Sequence, residues 1–296
     1  MASAELKMVI DMLRSSPILA DAPIEELRSG MEMMATTMPP PADVKYQAVD
    51  AGGVPAEWAT AETASAGRVL LYLHGGGYNI GSVRTHRALT GAVSRAARLP
   101  ILSVDYRLAP ENRFPAAVED AVLAYRYVVK SGVAPAKIAI AGDSAGGGLT
   151  AATLVALRES GDPQPGAAVC ISPWLDLTQS GESITARAAL DPMVSKQALD
   201  RMAAAYLGDQ DARTPTASPL FADLSGLAPI LIHVGSAETL LDDSVRFAER
   251  VRKAGGDVEL EVWEDMIHVF HAFAPLLPEA TQGIEKVADF LRRKLG

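Results

Sequence analysis

The stretch Lys137-Ile138-Ala139-Ile140-Ala141-Gly142-Asp143-Ser144-Ala145-Gly146-Gly147-Gly148 decides the fold of this chain. Its apolar part, residues 138–141, is short and bounded by turn residues, which predicts a buried β-strand. Residues 149–157 are rich in alanine and leucine and predict a helix. Between the two, the chain has to turn sharply at Ser144, and the small residues on either side permit such a turn. The serine hydroxyl then stands above the sheet, beside backbone N–H groups at the N-terminus of the helix.

Short apolar runs alternate with helical patterns on both sides of this stretch. The other runs with the character of buried strands are residues 68–73, 101–104, 167–171, 229–234 and 258–263. The helical patterns are residues 83–98, 115–130, 240–254 and 279–294. Residues 44–49 and 56–59 predict antiparallel edge strands. This alternation predicts an α/β fold with a mostly parallel sheet covered by helices on both faces. Functional sites of such sheets assemble in the loops after the strands.

Composition limits the kind of protein that this chain is. Its 296 residues are 49% hydrophobic, which is enough for a large core. The formal net charge of −9 argues against a nucleic-acid partner. Cys170 is the single cysteine and lies in an apolar run, so we expect a buried, inert thiol and no intrachain disulfide. The N-terminus lacks signal-peptide features and no apolar run approaches the length of a membrane span, which favours a cytoplasmic location.

Two segments break the α/β pattern. Residues 4–14 predict an amphipathic helix. Asp21 and Pro23 predict the cap and first turn of a second helix, whose inward face would carry Ile24, Leu27, Met31 and Met34. Almost sixty residues separate the strands 167–171 and 229–234, far more than an ordinary loop. We therefore divide the chain into four segments: a helical arm that forms part of a cap (1–42), the first part of the core (43–175), a cap insertion (176–217) and the second part of the core (218–296).

Candidate partners for Ser144 follow two later strands. A serine hydroxyl is a weak nucleophile until an imidazole accepts its proton, and a carboxylate has to orient that imidazole. His268 lies just beyond the strand 258–263, and Glu238 lies just beyond the strand 229–234. Parallel strands bring both residues to the sheet edge where Ser144 emerges. The sequence therefore predicts a Ser144, His268 and Glu238 triad instead of a strand-to-helix turn with an incidental serine.

Other acids and histidines remain open at this point. Asp242 and Asp243 are rivals of Glu238, but they lie a turn or more into the following helix, where capping or exposure to solvent is expected. His271 is an alternative base, three residues beyond His268. We interpret His86 as a residue on a helix surface and His233 as a core residue of a strand. No cluster has the spacing of metal ligands, so no metal is predicted.

A glycine-rich loop, His74-Gly75-Gly76-Gly77, follows the strand 68–73 directly. Glycines let backbone N–H groups approach a substrate oxygen without obstruction, as the oxyanion that forms on a carbonyl requires. We predict donors at the N–H groups of Gly76, Gly77 and Ala145, and Tyr78 as a pocket-lining residue. Phosphate binding is the rival use of such a loop, but no Walker lysine and no Gly-x-Gly-x-x-Gly helix start follows the strand.

These motifs resemble the hormone-sensitive-lipase-like family of α/β-hydrolase esterases. The matching segments are His74–Gly77, Asp105–Glu111, Gly142–Gly146, Ser218–Phe221 and the segments that carry Glu238 and His268. The resemblance implies the α/β-hydrolase fold, ester hydrolysis through an acyl-enzyme without a cofactor, a cap over the site and frequent homodimers. It also favours His268 over His271. Two departures stand out: the family commonly has Asp at position 238, and it usually has Gly where this chain has Val269.

The predicted function is therefore a serine carboxylesterase. A capped pocket favours small-molecule esters with short acyl chains. Two alternatives remain open: an amidase or acyltransferase that uses the same nucleophile, and a non-catalytic ligand-binding protein on the same scaffold.

Overall fold

The computed structural model describes residues 3–15, 22–274 and 276–296. In this part of the chain an eight-stranded sheet has the strand order β1-β2-β4-β3-β5-β6-β7-β8. Its strands are β1 Val44–Asp50, β2 Pro55–Ala61, β3 Val69–Leu73, β4 Ile101–Val104, β5 Ile138–Asp143, β6 Ala167–Ile171, β7 Ile230–Gly235 and β8 Val258–Trp263. The helices are α1 Ala4–Ser15, α2 Ile24–Ala35, α3 Arg87–Ala97, α4 Ala116–Lys130, α5 Ala145–Glu159, α6 Ser183–Ala186, α7 Lys196–Leu207, α8 Leu241–Lys253 and α9 Pro278–Leu295.

The sheet is parallel except at one side. β1 pairs with β2, and β2 with β4, in antiparallel fashion, while every pair from β4 and β3 through to β8 is parallel. The predicted α/β class with a mostly parallel sheet is confirmed. β3, β5, β6 and β7 are buried along their whole length, which is why they read as continuous apolar runs instead of alternating ones. Their carboxyl ends lie side by side at one edge of the sheet.

Helices cover both faces of the sheet, because successive side chains of a strand point to opposite faces. Leu71 and Leu73 of β3 belong to a core shared with α4, α5, α7 and α8. Leu70 and Tyr72 belong to a second core, shared with α3 and α9. Both faces of β3 are thereby removed from water. The strand ends, and the loops that follow them, are held between the two layers of helices.

The N-terminal arm packs over the same edge of the sheet. Leu6 and Val9 of α1 are buried in a third apolar cluster with Ile267 and Phe270, which flank His268. α2 contains no fully buried residue, and Met34 is 37% exposed. The prediction that Met34 faces inward was wrong, since α2 lies on the surface and its contacts with the body are largely polar. Asp21, the predicted cap of this helix, lies outside the described residues. The four segment boundaries proposed from the sequence stay predictions.

None of the helices in the described ranges combines the length and the apolar character that crossing a bilayer requires.

Candidate active site

Ser144 occupies a strained turn between β5 and α5. Its backbone dihedrals, φ 53° and ψ −122°, are unfavourable for any residue with a side chain. A β-carbon on Gly146 would collide with the carbonyl oxygen of Leu73, so the helix start passes directly against β3. The N–H of Ser144 donates to the carbonyl oxygen of Ile171 at 2.8 Å, which anchors the turn to β6. The tertiary structure thus maintains the strain and holds the hydroxyl at the sheet edge.

The three residues that the sequence places after β5, β7 and β8 meet at this edge. Nε2 of His268 lies 2.9 Å from Oγ of Ser144, and Nδ1 lies 2.9 Å from Oε2 of Glu238. A carboxylate only accepts, so Nδ1 carries the proton and Nε2 presents its lone pair to the serine hydroxyl. Burial lowers the pKa of His268, but the hydrogen bond to Glu238 and its negative charge outweigh burial and raise the pKa above its ordinary value.

The rival acids contact other parts of the structure. Oδ2 of Asp242 accepts from the N–H of Ser183 at 2.9 Å. Oδ2 of Asp243 accepts from the N–H groups of Leu175 and Asp176 at 2.8 and 2.9 Å. Asp243 is buried, contrary to the expectation of capping or exposure, and burial raises its pKa to about 8. Both aspartates brace the segment after β6 and contribute no hydrogen bond to His268.

His271, the alternative base, lies in the core between His233 of β7 and Gly283 of α9. Its Nε2 is 3.0 Å from Nδ1 of His233, and the two rings stack with centroids 5.2 Å apart. Both side chains are buried. Burial, followed by the neighbouring imidazole, lowers the pKa of His271 well below its ordinary value. The structure therefore brings His268 and not His271 to Ser144.

The glycine-rich loop has two backbone N–H groups whose direction is set by hydrogen bonds to the preceding carbonyl groups. The carbonyl oxygen of Gly76 accepts from the N–H groups of Asn79 and Ile80, both at 3.0 Å. The carbonyl of Gly76 and the N–H of Gly77 belong to one trans peptide group and point in opposite directions. Because the carbonyl points to Asn79 and Ile80, the N–H of Gly77 points away from them. In the same way, Nδ1 of His74 donates to the carbonyl oxygen of Gly75 at 2.8 Å and orients the N–H of Gly76. Gly76 and Gly77 have φ of 117° and 60°, which favours glycine at both positions.

The third predicted donor lies at the start of α5. The carbonyl oxygen of Ser144 accepts from the N–H groups of Gly148 and Trp174, both at 3.0 Å, so the N–H of Ala145 points away from them. Among the described residues, no hydrogen bond uses the N–H groups of Gly76, Gly77 or Ala145 as donors. Three unpaired donors thus remain beside the serine turn, as a developing oxyanion would need.

His86 is buried, so its expected position on a helix surface was wrong. Its Nε2 lies 3.3 Å from Oδ2 of Asp143, the residue before the nucleophile candidate. Asp143 also accepts from the hydroxyl of Tyr72 at 2.8 Å and from the N–H of Gly75 at 3.2 Å. Burial lowers the pKa of His86, but the charge of Asp143 outweighs it and the net shift is upward. This pair joins the serine turn to the glycine-rich loop.

Tyr78, predicted to line the pocket, is 1% exposed. Its ring stacks on Tyr206 of α7 with centroids 3.9 Å apart and interplanar angle 5°. Burial raises its pKa above the ordinary value. The structure places Tyr78 between the glycine-rich loop and the helix above it, and its contact with substrate stays a prediction.

Arg28 of α2 contacts the segment that follows the glycine-rich loop. Its Nε donates to the carbonyl oxygen of Asn79 and its Nη2 to that of Ala109, both at 2.9 Å. Both guanidinium ends also pair with the carboxylate of Glu111 at 2.8 Å. The buried side-chain amide of Asn79 donates to the carbonyl oxygens of Gly77 at 2.5 Å and Met202 at 3.1 Å. The arm, the loop and α7 are thereby tied together.

A small cavity opens between the arm and α7. Its volume is about 190 Å³, and it is lined by Ile24, Leu27, Asn79, Pro110, Ala198, Arg201, Met202 and Ala205. The side chain of Met202 lies against the backbone of Gly77, so the cavity adjoins the loop that carries two of the predicted donors.

Sequence reasoning missed Ser172, which directly follows β6. Its hydroxyl donates to Oε1 of Glu238 at 2.7 Å and accepts from the N–H of Val269 at 3.0 Å. The N–H of Gly235 donates to the same carboxylate oxygen at 2.6 Å. The available signal was positional: β6 lies between the strands that precede Ser144 and Glu238, so the residue after it has to lie between them.

The structure also bears on two other kinds of reactive group, a cysteine thiol and a metal-binding cluster. Cys170 is buried, and burial raises the pKa of its thiol to about 12. Across residues 3–15, 22–274 and 276–296, no three His, Cys, Asp or Glu side chains cluster in a way that could hold a metal ion.

Comparison with known proteins places this geometry in a family context. The sequence profile of the alpha/beta hydrolase fold matches residues 70–272. An acetyl-hydrolase of Streptomyces hygroscopicus is 44% identical over 300 residues, which cover 100% of this chain and 99% of that relative. The crystal structure of an esterase from the bacterial hormone-sensitive lipase family has a TM-score of 0.97 at 48% identity, with 100% of both chains covered. A crystal structure of the esterase EstE5 soaked with p-nitrophenyl butyrate has a TM-score of 0.96 at 46% identity, with 99% of both chains covered.

Proposed function

This chain belongs to the hormone-sensitive-lipase-like esterases of the alpha/beta hydrolase fold and is a carboxylic-ester hydrolase, and from that premise we propose that Ser144, His268 and Glu238 form its catalytic triad. The observation that carries the proposal is the unbroken hydrogen-bonded chain from the serine hydroxyl through the imidazole to the carboxylate, with 2.9 Å at each step. The N–H groups of Gly76, Gly77 and Ala145 form the oxyanion hole.

The reaction has two halves in this proposal. Oγ of Ser144 attacks the ester carbonyl carbon while Nε2 of His268 takes its proton. The oxyanion accepts hydrogen bonds from the three backbone donors, and the imidazolium then protonates the leaving alkoxide, so that an alcohol departs. Water attacks the acyl-enzyme, His268 accepts its proton and returns it to Ser144, and the acid leaves. Glu238 holds Nδ1–H and stabilises the imidazolium throughout.

Replacement of the nucleophile tests this mechanism. We expect Ser144→Ala to lower kcat for p-nitrophenyl butyrate by roughly 10³-fold or more, since the remaining hydrogen-bond donors supply only part of the catalysis. Ser225→Ala, at an exposed serine whose hydroxyl donates to Asp223, is the matched control and keeps the parent rate. A Ser144→Ala protein that hydrolyses the ester at the parent rate would refute the proposal.

Two alternatives share this scaffold: an amidase or acyltransferase that uses the same nucleophile, and a non-catalytic ligand-binding protein. Separate measurements distinguish them from the esterase. A ligand-binding protein on this scaffold would not be labelled at Ser144 by a fluorophosphonate, whereas the proposed esterase is labelled. An amidase would hydrolyse a matched anilide at least as fast as the p-nitrophenyl ester. The similarity to an acetyl-hydrolase and to an esterase of the hormone-sensitive lipase family supports an ester as the substrate.

We further propose short-chain acyl esters as the substrate class. The cavity of about 190 Å³ beside Gly77 is smaller than the roughly 300–1,000 Å³ typical of pockets for drug-sized ligands. The arm and α7 close it from two sides. A series of p-nitrophenyl esters of increasing acyl length measures this directly: kcat/KM should be highest for acetate or butyrate and should decline with longer chains.

A cytoplasmic location and a homodimer complete the proposal. The single buried cysteine, compatible with a reducing compartment, supports the former. The family resemblance supports the latter, and sedimentation analysis of the purified chain tests it.

A further inference from the structure

We infer that Ser172 is a positioning residue of the esterase reaction, because its hydroxyl links the triad acid to the backbone that carries the catalytic histidine. The inference rests on the triad proposed above. It assigns to Ser172 no contact with substrate and no proton transfer.

The location of Ser172 follows from the strand order. β6 lies between β5, which ends before Ser144, and β7, which ends before Glu238. The N–H of Ser172 donates to the carbonyl oxygen of His233 on β7 at 2.7 Å, while the N–H of Ser144 donates to Ile171 on β6 at 2.8 Å. The residue after β6 is therefore held between the nucleophile and the acid by backbone hydrogen bonds on both sides.

The orientation of the hydroxyl is fixed by its partners. The N–H of Val269 occupies a lone pair of Oγ at 3.0 Å, so the hydroxyl proton points to Oε1 of Glu238 at 2.7 Å. Ser172 is fully buried and has φ 46°, a backbone that costs free energy for a residue other than glycine. A buried serine in that conformation, whose hydroxyl donates one hydrogen bond and accepts another, is consistent with a positioning role.

Ser172 matters because the triad acid is the longer glutamate, Glu238, and not an aspartate. A glutamate side chain has one more rotatable bond than an aspartate, so Glu238 needs more contacts to keep Oε2 at Nδ1 of His268. Two donors, Ser172 and the N–H of Gly235 at 2.6 Å, hold Oε1 and leave Oε2 for the imidazole. Without the hydroxyl, one of the two restraints on the carboxylate is gone and the turn after His268 loses its acceptor.

The experiment compares two ways of removing the hydroxyl. We expect Ser172→Ala and Ser172→Gly each to lower kcat for p-nitrophenyl butyrate by about 10- to 100-fold while KM changes by less than about twofold, since misplacement affects the chemical step more than binding. Glycine suits the backbone at φ 46°, so an equal loss of kcat in both variants attributes the effect to the hydroxyl and not to strain. Ser103→Ala, which removes a buried hydroxyl that has no hydrogen-bond partner among the described residues, is the control and keeps kcat.

A double-mutant cycle with Glu238→Ala separates this inference from the triad proposal. If Ser172 acts through Glu238, Ser172→Ala lowers kcat by less than about threefold once Glu238 is already alanine. A full loss in that background, or unchanged kcat in both single Ser172 variants while Glu238→Ala is impaired, overturns the role of Ser172 alone. If Glu238→Ala keeps the parent kcat, the assignment of the acid fails, and the inference falls with it. Urea unfolding of each variant confirms that the fold is retained.

Discussion

In the candidate active site, the non-glycine residues Ser144, Ser172 and Val269 have positive φ values of 53°, 46° and 49°. Each directly follows a residue or strand that the site needs in a fixed place. Ser144 follows β5, Ser172 follows β6, and Val269 follows His268. Such conformations persist only where surrounding contacts outweigh their cost, and they concentrate at functional sites.

Val269 is the costliest of the three, because a β-branched side chain tolerates this region least. It is also 7% exposed, so its side chain contributes to the core. We expect Val269→Gly to be more stable than Val269→Ala by about 1 kcal/mol, the reverse of the usual order, because glycine removes the left-handed strain. Free energies of unfolding from urea titration measure the difference.

Both Val269 variants retain the N–H that donates to Ser172, so kcat should stay within a few-fold of the parent. An alanine variant more stable than the glycine variant would contradict the strain argument. A large loss of kcat in both would show that the side chain itself, and not only the backbone, positions His268.

Among the elements, α2 affects the glycine-rich loop indirectly, through Asn79, although it has no fully buried residue. Its influence is polar: Arg28 donates to the carbonyl oxygens of Asn79 and Ala109 and pairs with Glu111. Asn79 in turn holds the carbonyl oxygen of Gly77. A surface helix can thus set the geometry of the predicted oxyanion hole through two hydrogen-bonded steps.

Arg28→Met keeps the apolar length of the side chain and removes these donors. We expect kcat for p-nitrophenyl butyrate to fall by roughly 3- to 10-fold, because the loop loses restraint in the transition state. The free energy of unfolding should change by less than about 1 kcal/mol, since Arg28 and Glu111 are 29% and 53% exposed.

Arg14→Met is the matched control on the same arm. Arg14 donates to the carbonyl oxygen of Ala189 at 3.2 Å and has no contact with the glycine-rich loop. Equal losses of activity in the two variants would mean that the arm acts as a whole and that Arg28 has no special role.

Across the whole molecule, buried histidines determine how the fold responds to acid. His74, His233 and His271 are buried, and burial lowers the pKa of the first two to about 3 and that of His271 well below 6.5. Below pH 6.5 the unfolded chain binds protons at these sites that the folded protein does not bind. Asp243 acts in the opposite sense, because its pKa of about 8 keeps a proton in the folded state that the unfolded chain releases above its ordinary pKa.

The three histidines outnumber the one aspartate. His86 and His268, whose pKa is raised in the folded state, oppose this effect near pH 7, but they are protonated in both states well below pH 6.5. The free energy of unfolding should therefore fall as the pH drops from about 6 to about 5. The slope approaches roughly 3 kcal/mol per pH unit for a net uptake of about two protons. Urea unfolding at several pH values measures it. His271→Phe, which removes one of the three groups, should make the slope shallower, whereas a free energy that rises on acidification would exclude this account.

The sequence by itself determined the α/β fold, because apolar runs, helical periodicity and turn residues are local properties that can be recognised without the tertiary structure. It also singled out Ser144, Glu238 and His268, since each lies just beyond a predicted strand and parallel strands end at a common edge. The glycine-rich loop could be predicted to lie near them because it also directly follows a predicted strand.

Only the tertiary structure decided which polar residues are buried and what they contact. Ser172 and Glu238 are 66 residues apart, and His86 and Asp143 are 57 apart, so neither hydrogen bond leaves a pattern in the nearby sequence. The burial of Asp243 and the exposure of Met34 likewise depend on which distant segments cover them. A hydrogen bond between remote residues is a property of packing, and packing follows from how the elements assemble in space and not from the local order of residues.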